Sequence, residues 1–419
     1  MRVIIIGSGF AGLTAAKYLK KYNIETIILE SRKDIGGRIR TFTDWGFPMD
    51  LGASWIQSPY NNPLTHIVKK LKINLFETNY KNSTIYDHGL EISKKEIDMA
   101  YKLYKDIYEK IEDEALKSKY NVSYADLYQK FKINNDLKDF IDWWTIFLND
   151  WEVATNLKNL GARAFFENKF EFYGMDCLPI KGMRPIIDYI SKGANIKLNS
   201  KVRKISRKNN EILIETEEDK FYADYCICTV PISVLKSNQI IFEPELSTEK
   251  KNAINNLDMG ILNKIYTQWD EPWWNTKATY IGMIEKQKNF PVSLSYNLHD
   301  PNTIISFFYG DEAKKIENME NEDIIKLLMK TIELSIGKKI PKPKKHLITK
   351  WGKDKNTLGS YSFFKTGANG KEMEVLNIPE NNLFFAGEHT NSREYGYAHG
   401  AYRSGISAAN KIIKKIQLI

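Results

Sequence analysis

The N-terminal part of the chain contains two apolar runs with a helix-like segment between them. Residues 3–6 form a continuous β-branched run, which is typical of a strand buried on both faces of a parallel sheet. Residues 13–22 carry apolar positions at helical spacing, and residues 25–30 form a second strand-like run that ends in an acid, Glu30. A strand, a helix and a strand in this order predict a βαβ unit and therefore an α/β fold.

A glycine-rich segment joins the first predicted strand to the helix. In a dinucleotide-binding fingerprint the first glycine allows a tight turn, the second lets the backbone approach the pyrophosphate, and the third allows close packing of helix on strand. The helix N-terminus offers N–H groups and a partial positive charge to the phosphates. The acid after the second strand accepts hydrogen bonds from the ribose hydroxyls. The residues predicted to bind a dinucleotide in this way are Gly7, Gly9, Phe10, Ala11, Gly12 and Glu30.

Along the rest of the chain the pattern of apolar and polar residues changes several times, and we find neither an internal repeat nor a low-complexity linker. Amphipathic helices are predicted at 92–119, 122–131 and 137–147. Short strands of a meander are predicted at 196–198, 202–205 and 211–216, and buried strands at 225–231 and 382–386. We therefore expect two interleaved domains, a dinucleotide-binding domain of residues 1–79, 181–245 and 377–419, and a substrate-binding domain of residues 80–180 and 246–376.

Composition indicates which partners and which cellular compartment to expect. The net charge is +9, but the lysines are spread along the chain, so we expect an ordinary solvated surface and no nucleic-acid partner. No stretch approaches the roughly 20 apolar residues of a membrane helix, so we expect no membrane partner. The three cysteines show neither a disulfide framework nor zinc spacing, which favours a reducing compartment. We expect a cytoplasmic protein without a metal site, and the oligomeric state stays open.

Several further segments follow the βαβ unit. They are the double-glycine segment 35–41 with Arg38, the segments 50–56 and 259–264, Trp351, and the segments 358–362, 385–390 and 396–402. In this order they resemble the flavin-containing amine oxidase family, most closely its polyamine oxidase branch and also the monoamine oxidases. The resemblance implies the amine oxidase fold, in which a Rossmann-type FAD-binding domain interleaves with an α+β substrate-binding domain.

The resemblance also implies which residues hold the cofactor, FAD. Arg38 would complement the pyrophosphate with charge-assisted hydrogen bonds, and Glu388 would meet the diphosphate–ribityl region. Monoamine oxidases carry the flavin on a cysteine directly before the first tyrosine of an aromatic cage. Because Ser360 stands at that position here, we expect FAD to be bound non-covalently. The remaining residues expected at the cofactor are Ala53, Ser54, Val202, Trp351, Tyr397 and Ala398.

The family comparison assigns catalytic residues as well. Tyr361 and Tyr397 match the two walls of the aromatic cage, where ring faces orient an amine and stabilise positive charge developing on its carbon. Lys264 matches the lysine that holds a water against the reactive flavin nitrogen, and its charge could help oxygen accept electrons.

The substrate residues are expected to be Trp55, Gln57 and Glu152. Glu152 resembles the acidic residue in the substrate tunnel of plant-type polyamine oxidases, and a surface position on a helix is the alternative. Polyamine oxidases usually place Glu or His where this chain has Gln57. Since glutamine brings no charge, this departure weakens the expected preference for a long polycation.

The hypothesis is an FAD-dependent oxidation of an amine C–N bond. Hydride transfer to the flavin leaves an iminium that water hydrolyses, and O₂ reoxidises the flavin to give H₂O₂. A polyamine is the leading small-molecule substrate. The alternatives are an L-amino-acid oxidase or a desaturase on the same fold, a lysine demethylase, and a flavoprotein subunit without turnover. An amino-acid oxidase would need a cation for the carboxylate, for which Arg163 and Arg184 are candidates.

Overall fold

A computed structural model describes residues 1–131, 133, 135–169, 174–208, 211–284 and 289–417. The chain divides into two compact units. The first unit comprises Met1–Leu75, Glu167–Met259 and Lys355–Ile419, and the second comprises Phe76–Phe166 and Gly260–Asp354. These bounds differ from the expected domain bounds, because the structure assigns residues 167–180, 246–259 and 355–376 to the first unit and residues 76–79 to the second. Hydrogen bonds explain two of the differences, since Cys177 pairs with Ile56 and Ser362 donates to Glu388.

A parallel sheet forms the centre of the first unit. All neighbouring strands are parallel, and their order is Leu383–Phe385, Tyr225–Cys228, Arg2–Ile6, Glu25–Leu29 and Ile196–Lys197. Val3, Ile4 and Ile5 are fully buried, as the unalternated apolar run predicts. The predicted α/β class and the βαβ unit are confirmed. Residues 196–197 were expected in a meander, but they join the edge of this parallel sheet instead.

The other elements of the first unit surround this sheet. A second sheet has the order Lys220–Ala223, Glu211–Thr216, Val202–Lys208 and Ile241–Glu243, and a strand pair joins Thr41–Phe42 to Met49–Asp50. Further strands are Cys177–Pro179 and Tyr361–Phe364. The helices are Phe10–Lys20, Pro63–Lys70, Arg184–Ser191, Ile232–Lys236, Thr248–Asn256, Glu372–Asn377 and Ala398–Gln417, with a 3₁₀ turn at Glu388–Thr390.

The second unit contains a mixed sheet. Its strand order is Lys345–Ile348, Leu262–Gln268, Thr303–Tyr309, Val292–Ser295, Tyr280–Ile284, Ser83–Asp87 and Leu90–Glu91. Neighbouring strands are antiparallel except Tyr280–Ile284 and Ser83–Asp87, which are parallel. One apolar core of this unit packs Trp269, Phe308 and Ile332 together. The α+β character expected of the substrate-binding part is present in this unit.

The helices of the second unit begin with a long amphipathic one. Lys94–Lys117 starts at a capping box in which Ser93 and Glu96 bond each other's backbone N–H groups. The helix predicted at 137–147 is Asn135–Thr145, and it continues through a π-helical turn, Ile146–Asp150, into Trp151–Val153. The remaining helices are Tyr124–Tyr128, Gly310–Ile316 and Asn321–Ile336, with a 3₁₀ turn at Trp351–Lys353.

The chain passes from one unit to the other four times, at Asp354–Lys355 and within the three elements Leu75–Glu77, Ala162–Glu167 and Leu257–Gly260. Across the described residues, no helix is both long enough and apolar enough to cross a membrane.

Candidate active site

The three glycines of the first loop meet different requirements. Gly7 has a φ of +101°, and Gly12 packs so closely that an added Cβ would lie 2.0 Å from the Gly7 carbonyl oxygen. At Gly9 an added Cβ would have no neighbour nearer than 3.9 Å. Gly9 also caps the helix Phe10–Lys20, whose first turn has no side-chain cap. Glycine is therefore required by the backbone turn at Gly7 and by close packing at Gly12. Gly9 instead leaves open space at the positive end of a helix, where a phosphate fits.

Glu30 is buried and already receives several hydrogen bonds within the chain. The backbone N–H and the hydroxyl of Ser8 donate to Oε2 over 2.8 and 2.7 Å, and Arg32 N donates to Oε1 over 2.9 Å. These bonds fix the carboxylate beside the glycine loop. Its role toward a ribose stays a prediction.

One buried carboxylate, Glu388, joins several predicted site residues. Its Oε1 accepts a hydrogen bond of 2.8 Å from Arg38, which also donates 2.8 Å to the carbonyl of Ser360. Its Oε2 accepts 2.5 Å from the Ser362 hydroxyl and 2.9 Å from the Gly396 N–H. The same group therefore bonds Arg38 and both segments that carry the predicted cage tyrosines.

The electrostatics of Glu388 follow from this arrangement. Burial alone would raise the pKa of Glu388, but the charge of Arg38 and the donated hydrogen bonds outweigh it, so the pKa lies below its ordinary value. Glu388 is therefore ionised at neutral pH and forms a buried ion pair with Arg38, whose side chain is 21% exposed. The Nη1 of Arg38 makes both bonds, and within the described residues its other nitrogens remain available to a ligand.

The structure brings the two tyrosine segments together. Tyr361 begins the strand Tyr361–Phe364, and Gly396, with a φ of +78°, lies against it. An added Cβ at Gly396 would be in ordinary van der Waals contact with the Tyr361 ring, at 3.5 Å, so the φ of +78° and not a lack of space favours glycine here. Tyr397 follows directly, and its ring stacks on His399 with centroids 5.2 Å apart and planes 13° apart.

A polar chain extends from His399 to Gln57. Asn62 Nδ2 lies 3.2 Å from His399 Nδ1 and donates 2.7 Å to the carbonyl of Gln57. The side-chain Oε1 of Gln57 is buried and has no hydrogen-bond partner among the described residues. The structure thus places Gln57 in the neighbourhood of Tyr397, although the two residues are far apart in sequence.

The second unit carries Lys264 on a fully hydrogen-bonded strand. The Lys264 N–H donates 2.8 Å to the Thr349 hydroxyl, and its carbonyl accepts 3.0 Å from Thr349 N. The side chain of Lys264 is 2% exposed. A lysine this buried is not a surface lysine, and its role toward oxygen stays a prediction.

Asn263 fixes the segment around Lys264. Its Oδ1 accepts from Trp351 N over 2.8 Å and from the Thr349 hydroxyl over 3.1 Å, while its Nδ2 donates 2.7 Å to Glu317. Trp351 therefore lies in the second unit, close in the fold to Lys264.

The other predicted residues have less specific surroundings. Ala53 N donates to the Arg38 carbonyl over 3.2 Å and so holds the Arg38 segment, while the Ser54 hydroxyl donates to the Asp50 carbonyl over 3.2 Å within its own segment. Val202 begins a strand of the second sheet and Ala398 begins the C-terminal helix. Trp55 is half-buried in the first unit, and Glu152 is half-buried on the helix Trp151–Val153 of the second. Cofactor or substrate roles for these residues stay predictions.

Comparison with known proteins decides the family. Residues 10–413 match the family described as flavin containing amine oxidoreductase. The chain belongs to the flavin-containing amine oxidoreductase family. It is 31% identical to polyamine oxidase 2 of Arabidopsis thaliana, over 97% of this chain and 87% of the relative. It is 28% identical to human lysine-specific histone demethylase 2, over 98% of this chain but only 53% of that protein. A redesigned putrescine oxidase structure shares the fold with a TM-score of 0.82 and 18% identity, covering 99% of both chains.

Family membership confirms the predicted amine oxidase fold and FAD-dependent oxidation of an amine. The residues of this amine oxidoreductase fit the cofactor by their own chemistry: an open glycine position at an uncapped helix start, and a partly exposed arginine with donors to spare. The C-terminal helix packs closely on the start of the first helix, because an added Cβ at Gly405 would lie 2.2 Å from the Ala11 carbonyl oxygen.

Two buried histidines of the amine oxidoreductase predict acid sensitivity. His389 is fully buried and neither ring nitrogen has a hydrogen-bond partner in the described part of the chain. Burial lowers the pKa of His389 and of His399 to about 4, from an ordinary value of 6.5. Between these values the unfolded chain binds more protons than the folded one, so stability is present above pH 6.5 and is lost as pH falls toward 4. We expect each histidine to remove about 2 kcal/mol between pH 7.5 and pH 5.

Urea unfolding at the two pH values measures this loss. His389→Gln should show a smaller pH dependence than the natural protein, and His66→Gln, at an exposed position, should leave it unchanged. An unchanged pH dependence in His389→Gln would show that the His389 ring is not held neutral.

Sequence reasoning missed the residues that organise this site. Ser362, Gly396, His399 and Asn263 stand inside the segments that carry the family resemblance, but no role was assigned to them, and Asn62 lies outside those segments. All five act through tertiary contacts, which the sequence pattern does not show.

Proposed function

We propose that the chain oxidises a polyamine or a related amine, holds FAD non-covalently and releases H₂O₂. The observation that carries the proposal is the Glu388 cluster, which bonds Arg38 at the expected phosphate position and both segments bearing Tyr361 and Tyr397. The identity to polyamine oxidases over almost the whole chain supports the substrate class.

The residues of the chain would bind the cofactor and orient the substrate as follows. Gly9 and the helix Phe10–Lys20 receive the pyrophosphate together with Arg38, and Glu30 receives the ribose. When bound, FAD accepts the hydride from the carbon next to the amine nitrogen and passes the electrons to O₂. Tyr361 and Tyr397 orient the neutral amine and stabilise positive charge developing on its carbon.

Lys264 would act on the oxygen side of the reaction. Its buried positive charge stabilises negative charge on oxygen as oxygen accepts electrons, and its ammonium group holds a water. The second unit would supply Trp351 beside it and Glu152 as an anionic group for substrate.

The proposed substrate class is tested by anaerobic reduction. The purified protein is mixed without oxygen with spermine, spermidine, N-acetylated polyamines, simple monoamines and L-amino acids, and the flavin absorbance is followed. Bleaching by polyamines supports the proposal. Bleaching by amino acids alone, or by none of the compounds, contradicts it.

The structure weakens the amino-acid oxidase alternative. Arg184, one of the two candidate carboxylate-binding cations, pairs with Asp34 and Asp188 at 2.7 Å each on a partly exposed surface. Arg163 donates 3.1 Å to the carbonyl of Ser118.

Non-covalent attachment gives a separate prediction. Because a serine, Ser360, stands where covalent relatives have a cysteine, acid precipitation should release all of the FAD into the supernatant. The absorbance of supernatant and pellet measures this directly. Yellow colour retained in a washed pellet would show a covalent link.

A further inference from the structure

A short antiparallel bridge in the first unit places an acid beside Gln57. Ile56 and Cys177 exchange both backbone hydrogen bonds, of 2.8 and 3.1 Å. The next residues along each segment, Gln57 and Asp176, therefore face each other with their side chains on the same side of the bridge. Ser58, with a φ of +46°, turns its N–H toward Asp176 Oδ1 at 3.3 Å.

Both side chains are acceptors in a largely buried place. The Oε1 of Gln57 has no hydrogen-bond partner among the described residues. Burial raises the pKa of Asp176 to about 6, against the lowering effect of the Ser58 N–H, so its carboxyl is mostly ionised at pH 7. A half-buried carboxylate next to a buried amide oxygen without a hydrogen-bond partner among the described residues favours a cation with several N–H donors.

We propose that Asp176 binds a remote ammonium group of a di- or polyamine, with Gln57 Oε1 accepting a second hydrogen bond from the same nitrogen. This inference rests on the proposed function. It also explains the departure at Gln57, since the charge absent from that position is supplied by the opposite segment of the bridge. Asp176 is then a specificity-determining residue that selects substrates with more than one nitrogen.

The position of this acid relative to the cage supports that selection. Asn62 bonds both the Gln57 carbonyl and His399, and His399 stacks on Tyr397. Asp176 and Tyr397 therefore belong to one connected cluster but are separated by several side chains. The nitrogen held at Asp176 is then not the nitrogen whose neighbouring carbon gives up the hydride beside Tyr397.

Steady-state kinetics of Asp176→Asn test the proposal with spermidine and benzylamine as probes. Asparagine keeps the shape and removes the charge, so KM for spermidine should rise by about 30-fold or more, as on truncating one partner of a buried charge pair. Benzylamine has one nitrogen, and its kcat/KM should stay unchanged. The matched control Asp44→Asn removes the same charge from an exposed position of the first unit and should leave both substrates unaffected.

A second variant relocates the charge. Asp176→Asn combined with Gln57→Glu puts the carboxylate on the opposite segment, and it should recover most of the spermidine affinity. An equal loss for spermidine and benzylamine, or no loss for either, overturns the role of Asp176. Failure of the double variant to recover affinity also counts against it.

The range of amines that the natural protein oxidises distinguishes a failure of this inference from a failure of the proposed function. If it oxidises no amine, the proposed function fails before any variant is made. If it oxidises only amines with one nitrogen, the proposed function survives in part and the Asp176 inference fails. Should Asp176→Asn not hold FAD, a crystal structure of the natural enzyme with spermidine, prepared without oxygen, decides the matter. An ammonium nitrogen within about 4 Å of the Asp176 carboxylate supports the inference, and a longer distance overturns it.

Discussion

Lys264→Met should slow the reaction of the reduced enzyme with O₂ by about 100- to 1000-fold, the effect of removing one preorganised electrostatic group from an active site. Lys264 is 2% exposed on a strand whose backbone is bonded to Thr349, so its position in the sheet is fixed. Methionine is also unbranched and fills similar space, so the strand should persist. Stopped-flow mixing of the reduced protein with oxygenated buffer measures the rate constant.

Separate measurements of flavin reduction by the amine and flavin reoxidation by O₂ distinguish a catalytic effect of Lys264→Met from a structural one. Anaerobic bleaching by the amine should change far less than reoxidation, because the cage tyrosines are untouched. Lys350→Met provides the control, since Lys350 lies near Thr349 in sequence but its ammonium bonds the carbonyl of Met319. Normal reoxidation in Lys264→Met would exclude a role in oxygen chemistry, and an equal loss in Lys350→Met would point to a general disturbance of the unit.

Gly12→Ala should lower the stability of the fold, whereas Gly9→Ala should weaken the binding of the cofactor. At Gly12 the new Cβ would lie 2.0 Å from the Gly7 oxygen, so the first helix must move away from the sheet. We expect the free energy of unfolding of the apoprotein to fall by about 4 kcal/mol or more, in the range of severe core defects. Denaturant unfolding of the apoprotein measures it.

Gly9→Ala should leave the fold intact and weaken the cofactor. Its φ of −76° suits any residue, and the added Cβ meets nothing within 3.9 Å, so apoprotein stability should stay within about 0.5 kcal/mol. The methyl group occupies the space through which the pyrophosphate would approach, so the Kd for FAD should rise by at least about 10-fold, or 1.4 kcal/mol. Titration of apoprotein with FAD measures this, and an unchanged Kd would show that the phosphates lie elsewhere.

The parts of the fold that sequence predicted depend on local pattern. The βαβ unit, the tight turn at Gly7 and the close packing at Gly12 follow from a short run in which each residue's environment is set by its neighbours. The prediction for residues 196–198 was wrong about the sheet. The two apolar residues of this run, Ile196 and Leu198, do not indicate whether a strand joins a meander or the edge of a parallel sheet. The π-helical turn before Glu152 likewise has no local signature.

The candidate site was predictable where a family motif names the residue. Arg38, Tyr361, Tyr397 and Glu388 were predicted because they stand in recognisable segments, although their roles remain to be tested. Asp176 was not found, since only the bridge between Ile56 and Cys177 brings it to Gln57 across more than a hundred residues of chain. Tertiary pairing of this kind leaves no trace in periodicity.

The sharing of Glu388 limits how this enzyme can diverge. Its carboxylate bonds the arginine expected at the phosphates and also both tyrosine segments, so a mutation that reshapes the cage through Glu388 alters the affinity for the cofactor as well. Among the described residues, none of the hydrogen bonds of Glu388 goes to Gln57 or Asp176. New substrate preferences should therefore arise more easily by drift at positions 57 and 176 than within the cage, and related enzymes with different amines should differ there first.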